Sequence, residues 1–330
     1  MSSPDPHAHS KRVAHHFYWW MRAGVTLALV AYLVWQVRPQ IGTLQLHLAH
    51  PLGLALTLGC IVLAMMLSTW QWYILIPWTD RVSFWQLLTY YLQSLFWNNF
   101  LPGGLGGDAV RVLALRAASG RMDTAVSSVL MARITGLWSV VFLAAASALF
   151  YAGRVGWHVA FPFLMFALGA LILTASGTVF LLSVPRLGLI RRLPAWLTDW
   201  HAGLRICFNQ PMLLLQALGC AFAIQLCAVA INAFMALALN LAITPAQLLL
   251  SLPLINLITL VPISIGGFGV REGSSVYFLG LVGVPAADAI VLALAVYALL
   301  ALVAAAGAGI CTVWATLFNT SRMRPDRSDP

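Results

Sequence analysis

From Ile206 to Val270 the chain carries no Asp, Glu, Lys or Arg, and the same is true from Ala289 to Ser321. Each run far exceeds the ~20 apolar residues that take a helix across a bilayer. Lipid offers the backbone no hydrogen bonds, so a spanning segment must be an α-helix or part of a closed barrel. Runs of this length are much longer than a barrel strand of ~10 residues. The fold class expected is therefore an all-α polytopic membrane protein. Composition agrees: 8% of residues are charged, against roughly 25% in soluble domains.

Hydropathy predicts six full transmembrane helices, at 22–38, 52–79, 124–150, 158–184, 213–240 and 287–318. Two further apolar segments, 84–118 and 246–283, are broken near their middles by Pro and Gly. Each half of these segments is short and each break carries charge, which fits a re-entrant helical hairpin better than a pair of ordinary spans.

The breaks share a pattern. Residues 98–111 read NNFLPGGLGGDAVR and residues 262–272 read PISIGGFGVRE. Pro102, Gly106, Gly107, Val110 and Arg111 superimpose on Pro262, Gly266, Gly267, Val270 and Arg271. The flanking span count repeats as well. Residues 22–152 form a first membrane repeat with its hairpin at 84–118, and 157–318 form a second with its hairpin at 246–283. The first starts inside and ends outside, and the second does the reverse. This is an inverted-topology repeat, an architecture many secondary transporters use.

The tails at 1–21 and 319–330 are basic and expected in the cytosol, with the apolar run from Ala23 to Val37 as an uncleaved first helix. In this topology fourteen of the 18 Lys and Arg residues are cytosolic, Arg111 included, and Arg38, Arg154 and Arg271 lie outside. Arg133 lies within a span. The asymmetry is that of a protein in the cytoplasmic (inner) membrane. It also accounts for the formal net charge of +9 without nucleic acid as a partner. The segment 186–211 reads as an amphipathic helix at the cytosolic interface, anchored by Trp196, Trp200 and Arg205. Cys60, Cys220, Cys227 and Cys311 lie in apolar runs and read as small core residues. His7, His9, His15 and His16 lack partners with metal-ligand spacing, so neither a metal nor a cofactor is expected.

The glycine breaks carry the chemistry. Gly106 and Gly107, like Gly266, Gly267 and Gly269, permit a sharp turn and close approach of bare backbone. The returning helix presents free N–H groups and a positive dipole end, an anion site. Arg111 and Arg271 each follow a glycine turn by about one helical turn. Asp108 and Glu272 stand where they can hold the guanidinium groups. Arg133 lies about 15 Å into its span, where an arginine costs at least about 2.5–3.5 kcal/mol and requires a partner or a wet cavity. Asp108 and Glu272 are the better partners; Asp123 is too far along the same helix. Asn98 and Asn99 precede the first turn and can cap it or line the cavity; Asn256 and Thr259 do similar work before the second. Gln225 and Asn232 share a helix face and can bond across helices. Three arginines with two acids leave a positive excess, suited to the phosphate of a lipid head group. A purely structural alternative is that Arg111–Asp108 and Arg271–Glu272 merely stitch each hairpin together; it leaves Arg133 unexplained.

At these blocks the sequence resembles the lysylphosphatidylglycerol synthase transmembrane family, also called the flippase-like domain family. The resemblance rests on Asn98 or Asn99 with Leu101, Pro102, Gly107, Asp108 and Arg111. It continues with Arg133 in LMARITGL, then Pro262, Ser264, Gly266, Gly267, Gly269 and Glu272. It implies a role in moving or handling membrane lipids across the cytoplasmic membrane. The synthases fuse this domain to a soluble catalytic one; the present sequence ends at Pro330, so aminoacyl transfer is not expected. The family pattern also implies an arginine where Tyr297 stands, which weakens the anion preference of the second half. Two other readings stay open at this point. One is a membrane-embedded transferase using a polyprenyl-phosphate donor, with Asp108 or Glu272 as acid or base, although no DxD pair is present. The other is a non-transporting accessory subunit working beside a lipid-modifying enzyme.

Overall fold

The computed structural model describes residues 50–77, 82–98, 106–157, 210–259 and 269–319, with scattered positions between 161 and 176. The predicted spans at 22–38 and 158–184, both tails and the linker up to 209 lie outside the described residues, apart from those scattered positions. The described residues are helical, with no strand among them. They form α1 (Pro51–Ile74), α2 (Phe84–Asn98), α3 (Gly106–Ser119) and α4 (Met122–Val155). After the linker come α5 (Pro211–Ala238), α6 (Pro245–Thr259), α7 (Val270–Leu281) and α8 (Ala286–Asn319). Among these, α1, α4, α5 and α8 are long and apolar enough to cross a membrane.

α1 and α5 begin alike. Each has proline in its first turn, at Pro51 and Pro211, where the missing N–H has no intrahelical partner to lose. The two helices run antiparallel along each other. At one end, a Cβ on Gly53 would lie 2.7 Å from Ala238 N and 2.8 Å from Phe234 O, so backbone rests on backbone and only glycine fits. At the other end, Ile74 and Leu75 pack in one cluster with Leu213, Leu214 and Ala217. Along α1, Gly53, Thr57, Ile61, Met65 and Thr69 are buried at every fourth residue, one face of the helix. Thr57 and Thr69 return their hydroxyls to Gly53 O (2.8 Å) and Met65 O (2.9 Å), which lets a polar side chain sit at a dry interface.

The four shorter helices form two hairpins. Gly107 lies against the carbonyl of Ser94, where a Cβ would stand 2.6 Å from the oxygen. Leu87 and Leu115, near the open ends of α2 and α3, share a cluster with Trp72 and Val129. α2 and α3 therefore pack antiparallel along each other. α6 and α7 do the same: Gln247 Nε2 donates to Val282 O at 2.9 Å and Ser251 Oγ to Phe278 O at 3.4 Å. With 15, 14, 15 and 12 residues, these helices are roughly 18–22 Å long, short of a ~30 Å hydrocarbon core.

The packing partners fall into matching sets. α1 packs on α2 and α4, α2 on α3, and α3 on α4. Likewise α5 packs on α6 and α8, α6 on α7, and α7 on α8. Across the halves α2 meets α8 and α6 meets α4. One pair breaks the match: α4 packs on α5, yet among the described residues α8 makes no comparable contact with α1. The largest core cluster joins Ile61, Val229, Leu248, Phe278 and Leu292 from α1, α5, α6, α7 and α8. Outward-facing side chains are apolar too, among them Val62, Leu63, Phe142, Leu215, Leu226, Leu302 and Ile310. Such a surface is costly in water and natural against acyl chains.

The close crossing yields a stability test. Gly53→Val forces α1 and α5 apart, and overpacking of this kind costs about 1–3 kcal/mol. Thermal unfolding in detergent is expected to show a lower Tm. Gly59→Ala, on the same helix with open space where a Cβ would stand, is expected to leave Tm unchanged.

Candidate functional site

The first hairpin positions a charge cluster. Asp108 and Arg111 lie one turn apart at the start of α3, with Arg111 Nη1 3.8 Å from Asp108 Oδ1. Asp108 also faces α4, where its Oδ2 accepts a hydrogen bond from Arg133 Nε at 2.6 Å. One carboxylate thus serves two guanidinium groups, and the cluster holds a net positive charge. Arg133 stands eleven residues after Met122, the first residue of α4, or about 16 Å along the helix. Its side chain remains 45% exposed, so this deep cation is open on one side.

Arg111 is enclosed instead. It is 8% exposed, and its guanidinium carbon lies 4.3 Å from the ring centroid of Trp72 and 5.3 Å from that of Tyr91. Cation–π contact gains strength when water is excluded. Trp72 is itself fixed, its Nε1 donating to Ser128 Oγ at 3.1 Å. Two buried polar atoms here have no partner, Arg111 Nε and Asn98 Oδ1. Asn98, the last residue of α2, thereby sits beside the tip with unused bonding capacity.

The second hairpin is arranged differently. Gly269 precedes α7 with φ of 81°, a conformation that favours glycine. Glu272 is buried and its Oε2 accepts the Gly269 N–H at 2.6 Å. This carboxylate closes the start of its own helix, leaving its Oε1 without a partner. Arg271 lies over the ring of Tyr297, 4.7 Å from the centroid. Tyr297 stands eleven residues after Ala286, the first residue of α8, the place on α8 that Arg133 holds on α4. A tyrosine ring faces the cation of the second half where an arginine faces the acid of the first.

Asn99, Pro102, Pro262, Gly266 and Gly267 lie outside the described residues; Gly106 and Gly107 open α3. Asn256 Nδ2 reaches Gln225 Oε1 at 3.5 Å, joining α6 to α5. Asn232 and Thr259 bond to carbonyls of their own helices. Asp123 pairs with its neighbour Arg121 at 2.6 Å. Spacing rules do not single out Trp72, Tyr91 or Gln71. Gln71 is 5% exposed and its Nε2 donates to Thr135 Oγ1 at 3.0 Å and to Ala217 O at 3.1 Å. A lone amide inside an otherwise apolar span is the signal the sequence offers for it. Among the described residues no group of His, Cys, Asp and Glu has the makings of a metal site.

A polytopic helical membrane protein with paired hairpins and charge set deep among its helices is the class these features define. The family profile described as the lysylphosphatidylglycerol synthase TM region matches residues 19–315, and the chain belongs to that family. Membership gives it a lipid-related function in the membrane. No match was found among curated proteins or among solved structures.

The shared carboxylate can be measured. Asp108→Asn and Arg133→Gln are each expected to lower Tm. Their double-mutant cycle is expected to give a coupling of about 1 kcal/mol, toward the low end for residues in contact because Arg133 is partly solvated. Additive effects would mean that the pair contributes nothing.

Proposed function

We propose that the protein is a flippase-like lipid transporter of the cytoplasmic membrane. In this reading it binds the phosphate of an anionic lipid head group and carries it between leaflets, without catalysing a reaction. Both termini lie in the cytosol, and the spans 22–38 and 158–184 complete two oppositely oriented halves with α2–α3 and α6–α7 as re-entrant hairpins. The antiparallel α1–α5 pair, the shortness of the hairpin helices and the matching packing sets support that arrangement.

A single observation carries the functional reading: Arg133, deep in an apolar span and half exposed, is neutralised by a carboxylate at a hairpin tip. A structural pair would be best buried on both sides. An open one can be reached by a ligand, and a phosphate can take a guanidinium in bidentate fashion. The head group enters beside Asn98, Asp108 and Arg133 while acyl chains stay in lipid along the exposed apolar faces. Arg111 stiffens the tip and adds positive potential from behind. Arg271 and Glu272 form the corresponding part of the second half, already partly satisfied by Tyr297 and Gly269.

Proteoliposomes with fluorescent phospholipids, quenched from outside, test this. Charged hydrogen bonds are worth about 1.5–3 kcal/mol, so Arg133→Ala is expected to slow movement of an anionic phospholipid about 10- to 100-fold in protein that still purifies folded. Wild-type rates in that variant would remove Arg133 from the pathway.

A further inference from the structure

The mismatch in the packing sets has a physical meaning. Two halves with the same order of helices, if they held the same conformation, would make the same contacts. α4 would then pack on α5 just as α8 packs on α1. Among the described residues the first of these pairs packs closely and the second makes no comparable contact, so the halves are in different conformations. Exchanging the two conformations gives a second state of similar architecture, in which α8 closes on α1 and α4 leaves α5.

The residues at the existing contact show what holds it. α1, α4 and α5 converge where Ile74, Leu75, Met131 and Ala217 pack in one cluster. At its edge the Gln71 amide donates to both Thr135 Oγ1 (3.0 Å) and Ala217 O (3.1 Å), a clasp across three helices. Helix starts give the equivalent positions: Pro51 with Pro211, and Met122 with Ala286. On that register Gln71 corresponds to Ile231, Thr135 to Leu299 and Ala217 to Thr57. The clasp has no counterpart, because an isoleucine and a leucine replace the amide and the hydroxyl. Separating α4 from α5 takes from a buried amide at least one of its two acceptors unless water enters, whereas the other closure has no amide to satisfy.

We propose that the α1–α4–α5 junction is the closed gate of this conformation, latched by Gln71, and that the opposite conformation closes α8 on α1 around Thr57 and Ala295. The proposal rests on the reading of the chain as an inverted-repeat lipid transporter. It goes further by naming the gate, its latch and the contact that replaces it. In transporters of this general design one repeat rocks against the other around a fixed site, and a latch present on one side biases the populations.

Cysteine cross-linking in a background free of the five native cysteines tests it. Met131→Cys with Ala217→Cys reports the present gate, and Thr57→Cys with Ala295→Cys, at the equivalent positions, reports the other. With a short bifunctional thiol reagent in liposomes, the first pair is expected to link quickly and the second slowly but above single-cysteine controls. Adding Gln71→Leu is expected to slow the first and speed the second several-fold. Thr135→Val, which removes one acceptor, is expected to do the same more weakly and serves if Gln71→Leu fails to fold. A second pair that never links above controls, or folded latch variants with unchanged rates, would overturn the gate. The cross-links are read without any transport measurement. Exchange in a protein that moves no lipid would leave the gate and remove the lipid reading; lipid movement without exchange would remove the gate alone.

Discussion

An arginine eleven residues inside an apolar helix has to be neutralised where it stands. The Asp108–Arg133 pair does this at 2.6 Å, and much of the structure is arranged so that the pair can form. Asp108 reaches α4 only because α3 begins at the right depth. α3 begins there because Gly107 lets it lie against the Ser94 carbonyl at a distance no side chain tolerates. The hairpin is held in turn by Leu87 and Leu115 against Trp72, whose indole also covers Arg111. Removing the carboxylate leaves two guanidinium groups facing each other's field at membrane depth, where desolvation is most costly.

The same rule governs the neutral polar groups. In an apolar surrounding a donor without an acceptor costs far more than in water. Accordingly, Trp72 donates to Ser128, Gln71 to α4 and α5, Ser147 to Leu249 O, and Gln247 to Val282 O. Each of these bonds joins different helices, so they fix rotation and register where apolar contact alone permits sliding. Against this background the few unsatisfied buried atoms among the described residues stand out. Asn98 Oδ1 and Arg111 Nε lie at the first hairpin and Glu272 Oε1 at the second. The sites read from the glycine motifs are also where hydrogen-bonding capacity is left over.

How much of this was legible in the sequence differs by level. The ends of α1, α4, α5 and α8 fall within a few residues of the hydropathy boundaries, because a helix in lipid must be apolar for its whole length and its ends are written in charge and proline. The breaks between α2 and α3 and between α6 and α7 were legible from proline and glycine, and at Gly107 backbone does meet backbone. The depth of Arg133 followed from counting residues. Its choice of Asp108 over Glu272 did not, since that depends on which face of α3 meets α4. The aromatic cover of Arg111 was hidden for the same reason. Trp72 and Tyr91 lie on two other helices, and no spacing rule relates them to a residue at 111. Gln71 was passed over because a single amide in a long span has many harmless uses, and its role appears only once three helices are seen to converge on it.

The two hairpins share a motif but not a chemistry, and that difference bears on function. In the first half the acid points away from its own helix start, toward a cation that remains half exposed. In the second half the acid turns back onto the helix start, and the cation is covered by a ring at the position equivalent to Arg133. A symmetric protein would offer two equal anion sites and hold a charged ligand between them with no preferred exit. Here the potential is concentrated at one tip, while the other is largely satisfied from within. In the proposed reading a head group therefore has one strong contact region and one weak one, with an energetic slope between them. A slope of this kind can be tuned by a single residue at position 297 without altering the fold, since a side chain on the face of α8 toward α7 changes the field at Arg271 and leaves the α1–α5 framework untouched.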